Sequence, residues 1–357
     1  MSVTIRDVAK RAQVSLGTVS RYLNGYSLRE QNRVRIEEAI RELGFQENII
    51  AKGLKNNRSM TIGVVLSSLT DLFATSVITA AEDVLAEANY SIVVCDFQSD
   101  PDILDQKLRF LKSRSVDGLI LLPGSCDRSG VLKEFRDDGI PVVMVNDEMP
   151  SFFTDLVAVD NTNASFRAVE WLIHQNHRDI AIINGDLDTS TGRERYKGYL
   201  EALQTYGIEP RDQWITCGHF SNSGGYGAAK SLFSLEHLPT AVYITNYYMT
   251  FGAIIAANEQ ELRIPDDISV IGFDHFDLSD VIHPPLTVVE QPMDRIGKAA
   301  AHMVIRRIKG DSEGFPACIR MQTRMLIRDS VRKYEPVQAL PSSDGDQPGD
   351  TEESERS

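Results

Sequence analysis

The chain has 357 residues, enough for two or three domains and a large buried core. Its four cysteines, Cys95, Cys126, Cys217 and Cys318, lie far apart without paired spacing, which argues against a disulfide framework or a thiolate metal centre and fits a reducing cytoplasm. Charges within the first seven residues, and the lack of any run of about 18 apolar residues, argue against a signal peptide and a membrane span.

The formal charge is −14, but it is unevenly spread: residues 1–58 hold 11 Lys or Arg against 6 Asp or Glu, a local +5 that leaves −19 for the remainder. In chain order, Thr4 can cap a first helix with Asp7 at its third position, while Val8, Ala9 and Ala12 supply an inward face. Ser15 caps a second helix within "SLGTVSRYLNG", in which Val19 and Leu23 face inward and Leu16, Gly17, Thr18, Ser20 and Arg21 lie elsewhere on the surface. Asn24-Gly25 ends it. A third helix, about residues 30–43, is expected to place Val34, Ile36, Ala39, Ile40 and Leu43 against the first two, with Gly44 as its stop. Two short helices joined by a tight turn, with hydroxyls and Arg on the exposed side of the second, have the geometry of a helix-turn-helix. Such a helix fits the major groove of DNA; Ser and Thr reach phosphates, and Arg can pair with guanine. The competing reading is a three-helix interaction module that never meets nucleic acid.

Residues 45–61, "FQENIIAKGLKNNRSMT", carry one short apolar stripe, Ile49, Ile50 and Leu54, too little to fold alone. From Ile62 onward apolar strands alternate with amphipathic helices, beginning "TIGVVLSS", "ITAAEDVLAEAN", "YSIVVCDF" and continuing to "ISVIGFD". That alternation predicts parallel sheets covered on both faces, and the strand count predicts two similar α/β lobes. The last segment, 335–357, has 7 acids against Arg356 amid Pro, Ser and Gly, and is expected to be disordered. His174 and His177 lack a third metal ligand and read as surface helix residues; "GGYGAAK" at 224–230 lacks the spacing of a phosphate loop. With no GxSxG, HExxH or Cys/His constellation, no catalytic residue, metal or cofactor is expected.

The stretch "TIRDVAKRAQVSLGTVSRYLNG", followed in order by "VDGLILLP", "VAVDN", "GRERYKGYLEAL", "RIPDDISVIGFD" and "HPPLTVVEQP", resembles the lactose-repressor/galactose-repressor family of bacterial transcription regulators to about residue 330. The resemblance implies an all-α helix-turn-helix domain (1–46), a hinge helix (47–60) and a two-lobed α/β core like periplasmic binding proteins. Its lobes would be 61–160 with 290–321, and 161–289 with 322–334. It implies that Leu16, Gly17 and Arg21 read bases, that Ser15, Thr18, Ser20 and Asn24 serve phosphates or caps, and that Leu54, beside Lys55, wedges into the minor groove. Gly53 and Glu47 depart from the family's hinge pattern and imply a weaker hinge helix.

For a small effector between the lobes the resemblance points to Phe73, Asp160, Arg195, Phe220, Asn246, Asp274 and Gln291, with Leu72 and Tyr247 as departures. Carboxylate, amide and guanidinium suit a hydroxyl-rich ligand and the aromatics a sugar face. Each also has a plain alternative as a helix cap or satisfied crossover residue, Asp160 most of all. The implied function is a homodimeric repressor of a pseudo-palindromic operator, cytoplasmic, with a sugar-like effector. The alternatives are a corepressor-dependent regulator with a nucleobase-like effector, or a sugar-binding protein or enzyme fused to a helical head.

Overall fold

The computed structural model describes residues 3–23, 26–45, 58–124, 129–276 and 278–335. The expectations for Asn24, for Glu47, Gly53, Leu54 and Lys55 of the linker, and for the tail beyond residue 335 fall outside the described residues.

The head comprises α1 (Ile5–Ala12), α2 (Leu16–Leu23) and α3 (Glu30–Leu43). Local chemistry sets their ends. The Asp7 carboxylate accepts from the Thr4 N–H at 2.9 Å and from its hydroxyl at 2.7 Å. Ser15 Oγ accepts from the Thr18 N–H at 3.1 Å, and Gly44 stops α3 at φ 59°. Val8, Ala9, Ala12, Val19, Ile36 and Ala39 form the small core, with Leu23, Ile40 and Leu43 packed at its margin. Val34 does not join them and is 40% exposed. It stands two residues from Ile36, more than half a turn round the helix, so both cannot face one core.

By its contacts the chain separates into two compact units, one drawn from Met1–Ala164, Gly185–Arg195 and Glu290–Arg324, the other from Ser165–Asn184, Tyr196–Val289 and Met325–Ser357. The first therefore takes in Gly185–Arg195, which the sequence reading placed in the second lobe. After the linker run β1 (Thr61–Leu66), α4 (Leu72–Glu87), β2 (Ser91–Asp96), α5 (Pro101–Ser113), β3 (Gly118–Leu122), α6 (Gly130–Asp137), β4 (Val142–Val145) and β5 (Asp155–Val159). Next are α7 (Asn161–His174), β6 (Ile180–Asn184), α8 (Ser190–Thr205), β7 (Ile215–Cys217), α9 (Asn222–Phe233), β8 (Ala241–Ile244) and α10 (Tyr247–Glu259). They are followed by β9 (Ser269–Phe273), α11 (Leu278–Val281), β10 (Thr287–Glu290), α12 (Met293–Ile308), β11 (Cys318–Met321) and β12 (Arg324–Leu326).

Among the described residues the first sheet has the order β11-β5-β4-β3-β1-β2 and the second β12-β10-β9-β8-β6-β7. Both follow one doubly wound pattern in which strand order reverses beside the first strand, β1 or β6. The pairings of β1 with β2 and β3, and of β6 with β7 and β8, are parallel, as continuous apolar strands require. In β1 the period of two is visible: Ile62, Val64 and Leu66 pack with α4 and α12, whereas Val65 lies with residues of α5 and α6 on the opposite face. Each such side chain buried stabilises by roughly 1.5–3 kcal/mol.

Two buried polar side chains inside these units are held by several partners each. Asp155 is fully buried and accepts from Arg307 Nε at 2.8 Å, Arg307 Nη2 at 2.9 Å and the Ala317 N–H at 2.7 Å, tying β5 to the end of α12. His177 corrects the sequence reading, because it lies past the end of α7 and is fully buried. Its Nδ1 meets the Thr240 hydroxyl at 2.9 Å and its Nε2 the Arg332 carbonyl at 3.0 Å, and burial lowers its pKa to about 4. The "GGYGAAK" glycines lie in α9, where Gly225 serves packing: a Cβ on it would overlap the Met249 backbone of α10, as one on Gly252 of α10 would overlap the Asn222 carbonyl of α9. Among the described residues no helix is long and apolar enough to cross a membrane.

Candidate DNA interface and effector-binding residues

Helix α2 turns Val19 into the head core and leaves a polar surface outside. Ser15, Leu16, Gly17 and Arg21 are exposed, Leu16 at 44%, while Thr18 and Ser20 are half-buried. Ser15 and Thr18 hydroxyls lie 2.8 Å apart, so this pair is committed first to the cap. A Cβ built on Gly17 meets only Ser15 Oγ, at 3.8 Å, so the backbone is bare by composition and not because space is lacking. Sequence reasoning missed Tyr26. It is 63% exposed, its N–H bonds the Arg21 carbonyl at 3.0 Å, and the Arg21 guanidinium lies 5.9 Å from its ring. On α3, Glu30 and Glu37 both bind Arg33, and Glu37 also accepts from the Tyr22 hydroxyl of α2 at 3.2 Å.

In the first unit, two named residues prove committed to the fold. Asp160 caps α7, its Oδ1 accepting from the Asn163 N–H at 3.1 Å. Phe73 is 7% exposed and belongs to the core below β1, while Leu72 beside it is 38% exposed; β4 and β3 lie between their strands, β1 and β5. Arg195 is different. It is 2% exposed, and its Nε donates to Asn161 Oδ1 at 2.9 Å. Asn161, itself fully buried, also reaches Glu194 through Nδ2 at 3.4 Å, and Glu194 pairs with Arg320 at 2.8 Å. Gln291 is 5% exposed in the segment after β10.

Sequence reasoning passed over both Asn161 and Asp147. Asn161 stands in the quoted motif "VAVDN"; because Asp160 takes the cap, the next side chain turns inward. Asp147 follows β4 and accepts from the Thr191 N–H at 2.7 Å and the Ser190 hydroxyl at 2.9 Å. Burial pushes its carboxyl above the usual carboxylate range, against the opposing pull of those donors and of Arg195.

In the second unit, the named residues follow strand ends on the side where doubly wound sheets take ligands. Asn246 follows β8 and caps α10, its Oδ1 accepting from the Tyr248 N–H at 2.9 Å. Asp274 follows β9 at φ 74°, is 3% exposed, and donates its N–H to Val289. Phe220 follows β7 at φ 49° and packs, half-buried, on the core beneath α9 and α10. Tyr247, the departure from family pattern, is 2% exposed and fills an aromatic group, its ring centroid 4.0 Å from Tyr248, 4.6 Å from Phe276 and 6.0 Å from Phe251. That contact joins the chain after β8 to the chain after β9. Cys217 Sγ and His219 Nδ1 approach to 3.7 Å. A separate cavity of about 350 Å³, lined by residues including Ile254, Leu262, Ile264, Ile282 and Pro284, contains none of the named residues.

Comparison with known proteins matches both parts of this architecture. The family described as "Bacterial regulatory proteins, lacI family" matches residues 4–48, and "Periplasmic binding proteins and sugar binding domain of LacI family" matches residues 59–329. The HTH-type transcriptional repressor PurR of Serratia proteamaculans (strain 568) is 35% identical over 333 residues, covering 92% of this chain and 96% of that protein. Among solved structures, the lac repressor dimer bound to operator and the anti-inducer ONPF aligns with a TM-score of 0.80 at 26% identity, over 93% of this chain and 100% of that one. The transcriptional regulator CelR in complex with cellobiose aligns with a TM-score of 0.70 at 27% identity, over 92% and 99%. The chain belongs to the LacI family of bacterial regulatory proteins, a DNA-binding repressor whose helix-turn-helix head is carried on an effector-binding α/β core.

Proposed function

We propose that the chain works as a homodimer on a pseudo-palindromic operator in the cytoplasm, catalysing nothing, and that a small sugar-like effector weakens its hold on DNA. The observation that carries the DNA half is the exposed face of α2, where Leu16, Gly17 and Arg21 stand clear of the head core. Two-fold operators follow from two-fold proteins, since each subunit offers one reading helix to one half-site. The lac repressor structure, a dimer on operator, supports this reading. Pull-down of genomic fragments at moderate salt should enrich a sequence with two related half-sites; enrichment of nothing above random DNA would overturn the proposal.

For the effector, we assign Arg195 and Gln291 in the first unit, and Asn246, Asp274 and Phe220 in the second, to binding. Asn246 spends its carbonyl on the helix cap, so its amide NH2 is the donor offered to ligand. Phe73 and Asp160 are assigned supporting roles, because packing and capping already occupy them. Cellobiose in the CelR complex favours a sugar. The Tyr247, Tyr248 and Phe276 rings favour a second reading, a flat nucleobase-like effector acting as corepressor. A thermal-shift screen of sugars and nucleobases decides between them, since a selective ligand raises the melting temperature by mass action. The effect of the hit on operator affinity then gives the sign of control.

A further inference from the structure

We infer that Asp117 is a positioning residue for operator binding, anchoring the exit of the linker to the first unit so that linker and unit move together. Its carboxylate is fully engaged by the linker's last residues. Oδ1 accepts from the Ser59 N–H at 2.8 Å and from the Ser59 hydroxyl at 3.2 Å, and Oδ2 accepts from the Met60 N–H at 2.9 Å. Bonds to an ionised acceptor are about twice as strong as neutral ones, and here both oxygens are used. Arg58 fixes the adjacent position, donating from Nη2 to the Ile308 carbonyl at 2.7 Å and from Nη1 to the Tyr90 hydroxyl at 3.4 Å. Ile308 is the last residue of α12, where a cation also suits the helix terminus.

Residues 58–60 thus grip the turn before β3, the end of α12 and the start of β2, where the Ser91 N–H bonds the Met60 carbonyl at 3.0 Å. A turn before β3 needs none of this. The Asp117 N–H already joins the β1–β3 ladder on the Thr61 carbonyl at 2.8 Å, and the side chain is left for the linker. Neither Asp117 nor Arg58 is assigned to DNA or effector. Their place is between the two, where any rearrangement of the first unit reaches the head through residue 58 and what precedes it.

The inference rests on the repressor reading above, and the test separates the two. The full-length parent chain selects a duplex from genomic fragments, and a random duplex of equal length serves as the nonspecific probe. Asp117→Ala is expected to lower the ratio of selected to random affinity on the order of tenfold, the scale of one lost charged contact. Asp117→Asn, which keeps one carbonyl acceptor, and Arg58→Gln should lower it less. A head that is merely tethered keeps its electrostatic, nonspecific affinity, so the random duplex should be bound as before. An unchanged ratio in all three variants overturns the inference, whatever happens to the melting temperature. If Asp117→Ala fails to fold, the other two carry the same test. With the effector found by the thermal screen, its Kd should be unaltered by Asp117→Asn while its effect on operator affinity shrinks. A parent that responds to no effector sinks the ligand reading and leaves the ratio to judge Asp117; a parent that selects no duplex overturns both.

Discussion

The two α/β units share a strand order yet put different chemistry at corresponding strand ends. In the first, the buried pair of Arg195 on Asn161 sits near the buried Asp147 carboxylate and reaches the surface through Glu194 and the exposed Arg320. In the second, Asn246 and Asp274 are flanked by aromatic rings, with Tyr247 nearly sealed between Tyr248 and Phe276. The same topology therefore constrains where ligand groups arise but not what they are. A charged relay confers direction, because guanidinium and carboxylate bonds fail when misaligned; an aromatic wall confers shape.

The contrast can be broken most forcefully at Tyr247. Tyr247→Ala should cost about 3–5 kcal/mol in the second unit, as large-to-small changes in aromatic cores do, and chemical denaturation should show that unit melting earlier. Acid attacks the second unit through His177. Its imidazole ionises at about pH 4 when folded against 6.5 for the ordinary residue, so the unfolded chain takes the proton first as pH falls. Stability is intact above pH 6.5 and should decline between 6.5 and about 4, by up to about 3 kcal/mol; His177→Gln should flatten that part of the curve in denaturation series across pH.

A smaller effect, and one read on ligand and not on folding, is expected in the first unit. Arg195→Ala should weaken effector binding by about 1.5–3 kcal/mol, roughly ten- to hundredfold, with operator affinity nearly intact. Calorimetry with the screened effector and gel shift with the selected duplex check the two halves; loss of both would assign Arg195 to folding. Smallest is Gly17→Ala, which should stabilise the head by about 1 kcal/mol, as Ala exceeds Gly within helices, while altering operator preference. A head that loses stability would contradict the open space seen around Gly17.

Much of the fold was legible because it rests on local rules. Thr4, Ser15 and Gly44 act as the helix signals they resemble, and the apolar strand runs from Ile62 onward form parallel sheets. Where the reading failed, long-range packing decided. Val34 looked apolar enough for a core it cannot face, and His177 looked solvated until Thr240 and Arg332, far along the chain, closed over it. The residues proposed for the effector were only partly legible for the same reason. Asp160 and Asn161 are neighbours of similar polarity, and the cap hydrogen bond to Asn163, not composition, determines which one faces Arg195. Tyr247 became visible as more than a departure only once Phe276 was placed against it.

The glycine seam between α9 and α10 has one further consequence. Gly225 and Gly252 bring the two backbones together with no side chain between them, so the helices cannot come closer without collision. Phe220 and Asn246 lie just ahead of these two helices and inherit a fixed gauge between them. If the proposed effector does touch Phe220 and Asn246, it meets a spacing set before it binds.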